Sequence, residues 1–203
     1  MKYLKMLGLA AVAAAALMAF AGAGTASADE ICTVSTNPCP AGSKITEIHA
    51  SLVGSAKLED TAGNTLDTCT TGTVKITALT SGATSVTGTI EKANLTWGEK
   101  GTTCTFPTTT IGNGSTEATE ASGGGSTLTA KSSEVTINTV LFGTCIYGAG
   151  TGTHLGSVPN GGSELSINAV INKISGGASC PATTKWNAKY KITNHTAAFY
   201  LNN

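Results

Sequence analysis

Along most of this 203-residue chain, apolar residues fall on every second position. Ile48-Ala50-Leu52, Val74-Ile76-Ala78 and Val86-Gly88-Ile90 alternate with polar neighbours, as do Val135-Ile137, Leu165-Ile167-Ala169-Ile171 and Trp186-Ala188-Tyr190-Ile192. A period of two sends successive side chains to opposite faces of a strand, so each run predicts a strand with one buried and one wet face. Turn signals stand between the runs: Gly54-Ser55, Ser81-Gly82, Gly98-Glu99-Lys100-Gly101, Asn160-Gly161-Gly162 and Ser175-Gly176-Gly177. Strands spaced by roughly 10 to 12 residues with turns between them predict an all-β fold, an antiparallel β-sandwich or a barrel-like domain. The segment from Ala197 to Leu201, with Phe199 and Tyr200, is expected to add a closing strand. Residues 112–126 (GNGSTEATEASGGGS) break the alternation and read as an exposed loop, or as a linker joining two half-units.

The first 28 residues obey a different rule. Lys2 and Lys5 precede an apolar run from Met6 to about Gly22, and Ala26-Ser27-Ala28 follows with the small-x-small pattern of a cleavage site. That order marks a secretory signal peptide. The apolar run is shorter than the roughly 20 residues that span a bilayer, so it is expected to be removed rather than to anchor the chain. Residues 1–28 are therefore assigned to the signal and 29–203 to a mature all-β domain without a membrane span, secreted or held at the cell envelope.

Export changes the meaning of the cysteines. All six, Cys32, Cys39, Cys69, Cys104, Cys145 and Cys180, lie beyond the signal and meet an oxidising space, where thiols pair. Six cysteines allow fifteen connectivities. The equal separations of Cys69 from Cys104 and of Cys145 from Cys180 favour pairing within each loop, leaving Cys32 with Cys39 around Asn37-Pro38.

Composition narrows the function classes. The chain has twelve lysines and no arginine, against twelve acids, and the lysines are scattered. A nucleic-acid partner needs clustered cations on phosphates, so none is expected. Lys185, Lys189 and Lys191 form the densest group and read as one solvated strand face. His49, His154 and His195 stand alone, without H-x-H, H-E-x-x-H or C-x-x-C, so no metal or cofactor site is expected. There is no G-x-S-x-G, and Gly148-Ala149-Gly150-Thr151-Gly152 fits neither phosphate-loop pattern. Glu59 and Asp60 are neighbours and so point to opposite faces, and Glu117 and Glu120 fall in the 112–126 segment. No pair of carboxylates is set for glycoside hydrolysis. The aromatics are few. Trp186 and Tyr190 belong to an apolar register and are expected in the core, while Trp97 and Tyr147 are the candidates for rings facing a ligand.

The runs Cys32-Thr-Val-Ser-Thr-Asn-Pro-Cys39-Pro, Cys145-Ile-Tyr-Gly-Ala149 and Cys180-x5-Trp186-x-Ala188-x-Tyr190 resemble a family of exported, cysteine-containing β-rich proteins of actinobacteria. The resemblance implies the fold class and export, and carries no activity or functional residue. The expected function is that of a non-catalytic structural or interaction protein with a cell-wall, polysaccharide or protein partner. A carbohydrate-binding module using Trp97 and Tyr147 is the alternative, and a secreted hydrolase built on one of the histidines is the third reading.

Overall fold

In the structure, a computed structural model that describes residues 29–90, 104, 110–111, 114–120, 125–139, 143–195 and 198–202, the alternating runs are strands. In chain order the strands are β1 (Glu30–Cys32), β2 (Ile48–Leu52), β3 (Ala56–Asp60), β4 (Thr65–Cys69), β5 (Thr73–Ser81), β6 (Val86–Ile90), β7 (Thr110–Ile111), β8 (Gly114–Glu120), β9 (Ser126–Thr139), β10 (Gly143–Ala149), β11 (His154–Val158), β12 (Glu164–Ser175), β13 (Thr183–Ile192) and β14 (Tyr200–Asn202). No helix occurs among the described residues. Consequently no described helix is long and apolar enough to cross a membrane. Residues 1–28, expected to be a signal peptide, Trp97 and the turn expected at 98–101 lie outside the described residues.

The strands close on themselves. β12, β13, β2, β5, β6, β8, β9 and β11 pair in that order, and β11 returns to β12, with every neighbour antiparallel. The eight-strand closed barrel replaces the two facing sheets of a sandwich, the first architecture expected from the sequence. Closure pairs every stave on both sides and leaves the ring without free edges. Its interior is set by the period-two pattern. Leu165 and Ile167 of β12 are buried, as are Ala188, Tyr190 and Ile192 of β13. Gly88 of β6 has no room for more: a Cβ there would lie 2.5 Å from Ile76 Cγ2 and 2.8 Å from Leu79 Cδ2. At a bulge in β11, a Cβ on Gly156 would collide with the backbone of Ser166 and Ile167, so only glycine lets β11 approach β12.

Three staves are too long for the ring: β9 has 14 residues, β12 has 12 and β13 has 10. Each changes partner along its length. The far half of β9 pairs with β10 and β7, the far half of β12 with β10, and the first half of β13 with β3, which in turn pairs with β4. A second, open sheet thus runs on from the barrel wall. Leu58, Tyr147, Ile171 and Trp186 are buried on it.

Disulfides tie the parts that hydrogen bonding leaves loose. Cys145 of β10 bonds Cys180 in the β12–β13 connection, Cys69 at the end of β4 bonds Cys104, and Cys32 of β1 bonds Cys39. These are the pairings that the equal spacing favoured. Residues 114–120, expected within a loop or linker, are instead the barrel strand β8, bonded to β6 and β9. Its inward positions are Gly114, Thr116 and Ala118, all buried and all small, so the strand carries almost no hydrophobic signal. Glu117 accordingly sits on a barrel strand, accepting a hydrogen bond from Ser85 Oγ at 2.8 Å.

Candidate functional site

One end of the barrel holds a partly enclosed cavity of about 50 Å³. The inward residues nearest that end form its wall: Ile48, Ile76 and Leu79 from β2 and β5, Val86 and Gly88 from β6, Ala118 from β8, Leu128 from β9, Leu165 from β12 and Ile192 from β13. Consecutive antiparallel strands alternate direction, so the site collects the start of one strand and the finish of the next. Its polar members are Thr116, Ser126, Asn160 and Tyr200, and no charged side chain lines it among the described residues.

A lid covers this end. β1 and β14 pair over three residues, and Ile31, Phe199, Tyr200 and Leu201 line the cavity from above. Phe199 exchanges main-chain hydrogen bonds with Gly161 and Gly162, the Leu201 amide donates to Asn160 Oδ1 at 3.2 Å, and the Asn202 side-chain amide donates to the carbonyls of Val34 and Thr36. β1 is held from the other side: the Asp29 amide donates to Gly82 O, the Ile45 amide donates to Ile31 O, and Lys44 forms an ion pair with Glu30 at 2.6 Å. The closing strand expected near the C-terminus is therefore present, but it closes the lid rather than the barrel wall.

The residues singled out from the sequence are not gathered here. His154 begins β11 at the opposite end of the ring, paired with Thr129. His49 projects from the outer face of β2, with Nε2 at 3.2 Å from Glu47 Oε1, while Lys75 Nζ lies 3.1 Å from Glu47 Oε2. The Lys75 hydrogen bond is the main cause holding the Glu47 carboxyl below its usual range, with His49 adding to it. His195 packs edge-on against Phe199 with ring centroids 5.8 Å apart. Asn194, in the sequon Asn194-His195-Thr196, has its side chain engaged: its amide donates to Glu47 O and its oxygen accepts from the His49 amide.

Lys185, Lys189 and Lys191 all stand on the exposed face of β13. Lys185 lies opposite Glu59 and Lys191 opposite Glu164 in the strand registers, so acids on adjacent strands offset two of the three cations. Asp60 spends its carboxylate on its own turn, accepting from the Ala62 and Asn64 amides and from the Asn64 side chain, which lowers its pKa.

Tyr147, a candidate for a ligand-facing ring, is fully buried at 0 % exposure, and burial pushes its phenol pKa up. The reason is the register of β10, where Cys145, Tyr147 and Ala149 share the buried face. The disulfide cysteines are likewise buried or half-buried, and the two groupings of carboxylates with cysteines, Glu30 with Cys32 and Cys39 and Asp67 with Cys69 and Cys104, are closed to metal because their sulfurs are bonded to each other. Sequence reading missed the cavity altogether. Its wall draws on all eight strands of the ring, Val158 of β11 included, each contributing one or two small or aliphatic residues.

Compared with protein-family models, curated proteins and solved structures, the chain matches none.

Proposed function

We propose that the protein is exported and acts outside the cell or at its envelope as a non-catalytic structural or interaction module, binding a cell-wall, polysaccharide or protein partner through its outer strand faces. The division of side chains supports this reading best. Inward positions are taken up by packing. Outward positions carry neutral hydroxyl and amide pairs across neighbouring strands, such as Thr77 with Thr89, Thr119 with Thr127 and Asn168 with Asn187. These groups donate and accept hydrogen bonds without the desolvation cost of a charge, which suits a hydrated polymer. Three disulfides would hold that surface in shape outside the cell.

The test is sedimentation of the purified mature protein with insoluble cell walls and polysaccharides of its source. Saturable co-sedimentation that largely survives salt is expected, because the hydroxyl and amide pairs, rather than the charges of β13, carry the contact. Protein left entirely in the supernatant would count against the proposal, and so would turnover of the polymer.

A further inference from the structure

We propose that the lidded end of the barrel is a binding well for a neutral, unbranched aliphatic chain, admitted when Phe199, just before β14, and Leu201 of β14 move aside. This is independent of the outer-face reading above. The occupant's chemistry follows from the wall. Ile76, Leu79, Val86, Leu128, Leu165 and Ile192 offer only hydrocarbon, and among the described residues no cation is there to meet a carboxylate or phosphate. A charged head placed there would lose its hydration without compensation. The hydroxyls and amide of Thr116, Ser126, Asn160 and Tyr200 suit an alcohol or ester at most.

Size fixes the shape. The closed cavity, about 50 Å³, is a third of the roughly 150 Å³ apolar cavity that accepts benzene. The space beneath the plug is therefore too small for a ring and takes only the end of a chain. More space comes from the lid itself. Phe199 and Leu201, 4 % and 6 % exposed, occupy the top of the same volume as a plug that an aliphatic chain would replace. β14 is not a stave, so it can shift while every barrel pairing stays intact. β1 is tied to the β5–β6 turn through the Asp29 amide and Gly82 O, so β14 is the half that moves. Affinity is reduced by the fraction of molecules with the lid displaced, so weakening the plug tightens binding.

The test titrates the disulfide-intact mature protein with methyl parinarate, a neutral straight-chain ester that fluoresces in apolar surroundings, and displaces it with n-dodecanol. A saturable rise is expected in the wild type. Leu201→Ala should bind about tenfold tighter, and Ala118→Leu, which fills the cavity from β8, about tenfold weaker. Thermal unfolding confirms that each variant is folded, and Val86→Leu on the adjacent strand β6 replaces Ala118→Leu if that variant is not. Absence of saturable binding in both the wild type and Leu201→Ala would overturn the proposal. Equal affinity in the wild type and the filled variant would also overturn it, because the probe would then be bound elsewhere.

Discussion

Thr184 shows what a buried hydroxyl does on this framework. It is 1 % exposed on β13, opposite Ile171 of β12, and its Oγ1 has no hydrogen-bond partner among the described residues. Burying a hydroxyl without a partner costs about 1–3 kcal/mol, and valine has the same shape without the oxygen. Thr184→Val is expected to raise stability by about 1 kcal/mol, read as a higher urea midpoint at unchanged slope. A lower midpoint would mean that the hydroxyl is satisfied in solution. Tyr147 gives a pH signature by the same physics. Burial disfavours its phenolate, so the folded pKa lies above the ordinary 10.0. The resulting stability is fully present below pH 10.0 and is lost as the pH rises from there through the folded pKa. Denaturant midpoints measured into that alkaline range should fall, and Tyr147→Phe should flatten the decline. An unchanged decline in the variant would assign it to other groups. The burial of Tyr147 was also open to sequence reasoning, since Cys145-x-Tyr147-x-Ala149 is a period-two run of the kind that placed Trp186 and Tyr190 inside.

At the level of elements, legibility followed side-chain size. β12 and β13 were readable because large apolar residues recur at alternate inward positions, Leu165, Ile167 and Ile171 on one and Trp186, Tyr190 and Ile192 on the other. β8 was not, because Gly114, Thr116 and Ala118 face inward and its outward Ser115, Glu117 and Thr119 make the segment read as polar throughout. Nor was β1, whose Glu30-Ile31-Cys32 is too short to show a period and whose partner lies at the far end of the chain. Closure itself has no local signature: the β11–β12 and β12–β13 pairings that seal the ring depend on long strands changing partner midway. The disulfides were readable from spacing, and their weights differ by loop length. Cys145–Cys180 spans a separation of 35 residues and Cys32–Cys39 one of 7. In the chain-entropy model these correspond to roughly 4 and 2 kcal/mol. Replacing Cys145 and Cys180 together with alanine should therefore lower stability more than replacing Cys32 and Cys39, by chemical denaturation of both variants. The reverse order would show that the small ring after β1 matters more than loop entropy predicts.

For the molecule as a whole, the closed barrel, the sheet carried on its three long strands and the two-strand lid account for nearly every large buried side chain described. Little apolar surface is left outside: Val53, Val170 and Ile174 are the exposed large hydrophobics among the described residues. Two of them, Val170 and Ile174, share the outer face of β12. The outward hydroxyl and amide pairs and the apolar well beneath the lid belong to different faces of the barrel, so a partner on its wall would leave the lidded end free. Both proposals suppose that the chain reaches an oxidising space. That supposition is the centre of the account, and peptide mapping by mass spectrometry under non-reducing conditions, on the protein recovered from its source, tests it most directly. The account predicts a first residue of Asp29, with peptides linked through Cys32–Cys39, Cys69–Cys104 and Cys145–Cys180 in the culture fluid or envelope fraction. A cytoplasmic protein that retains Met1 and carries free thiols would contradict it.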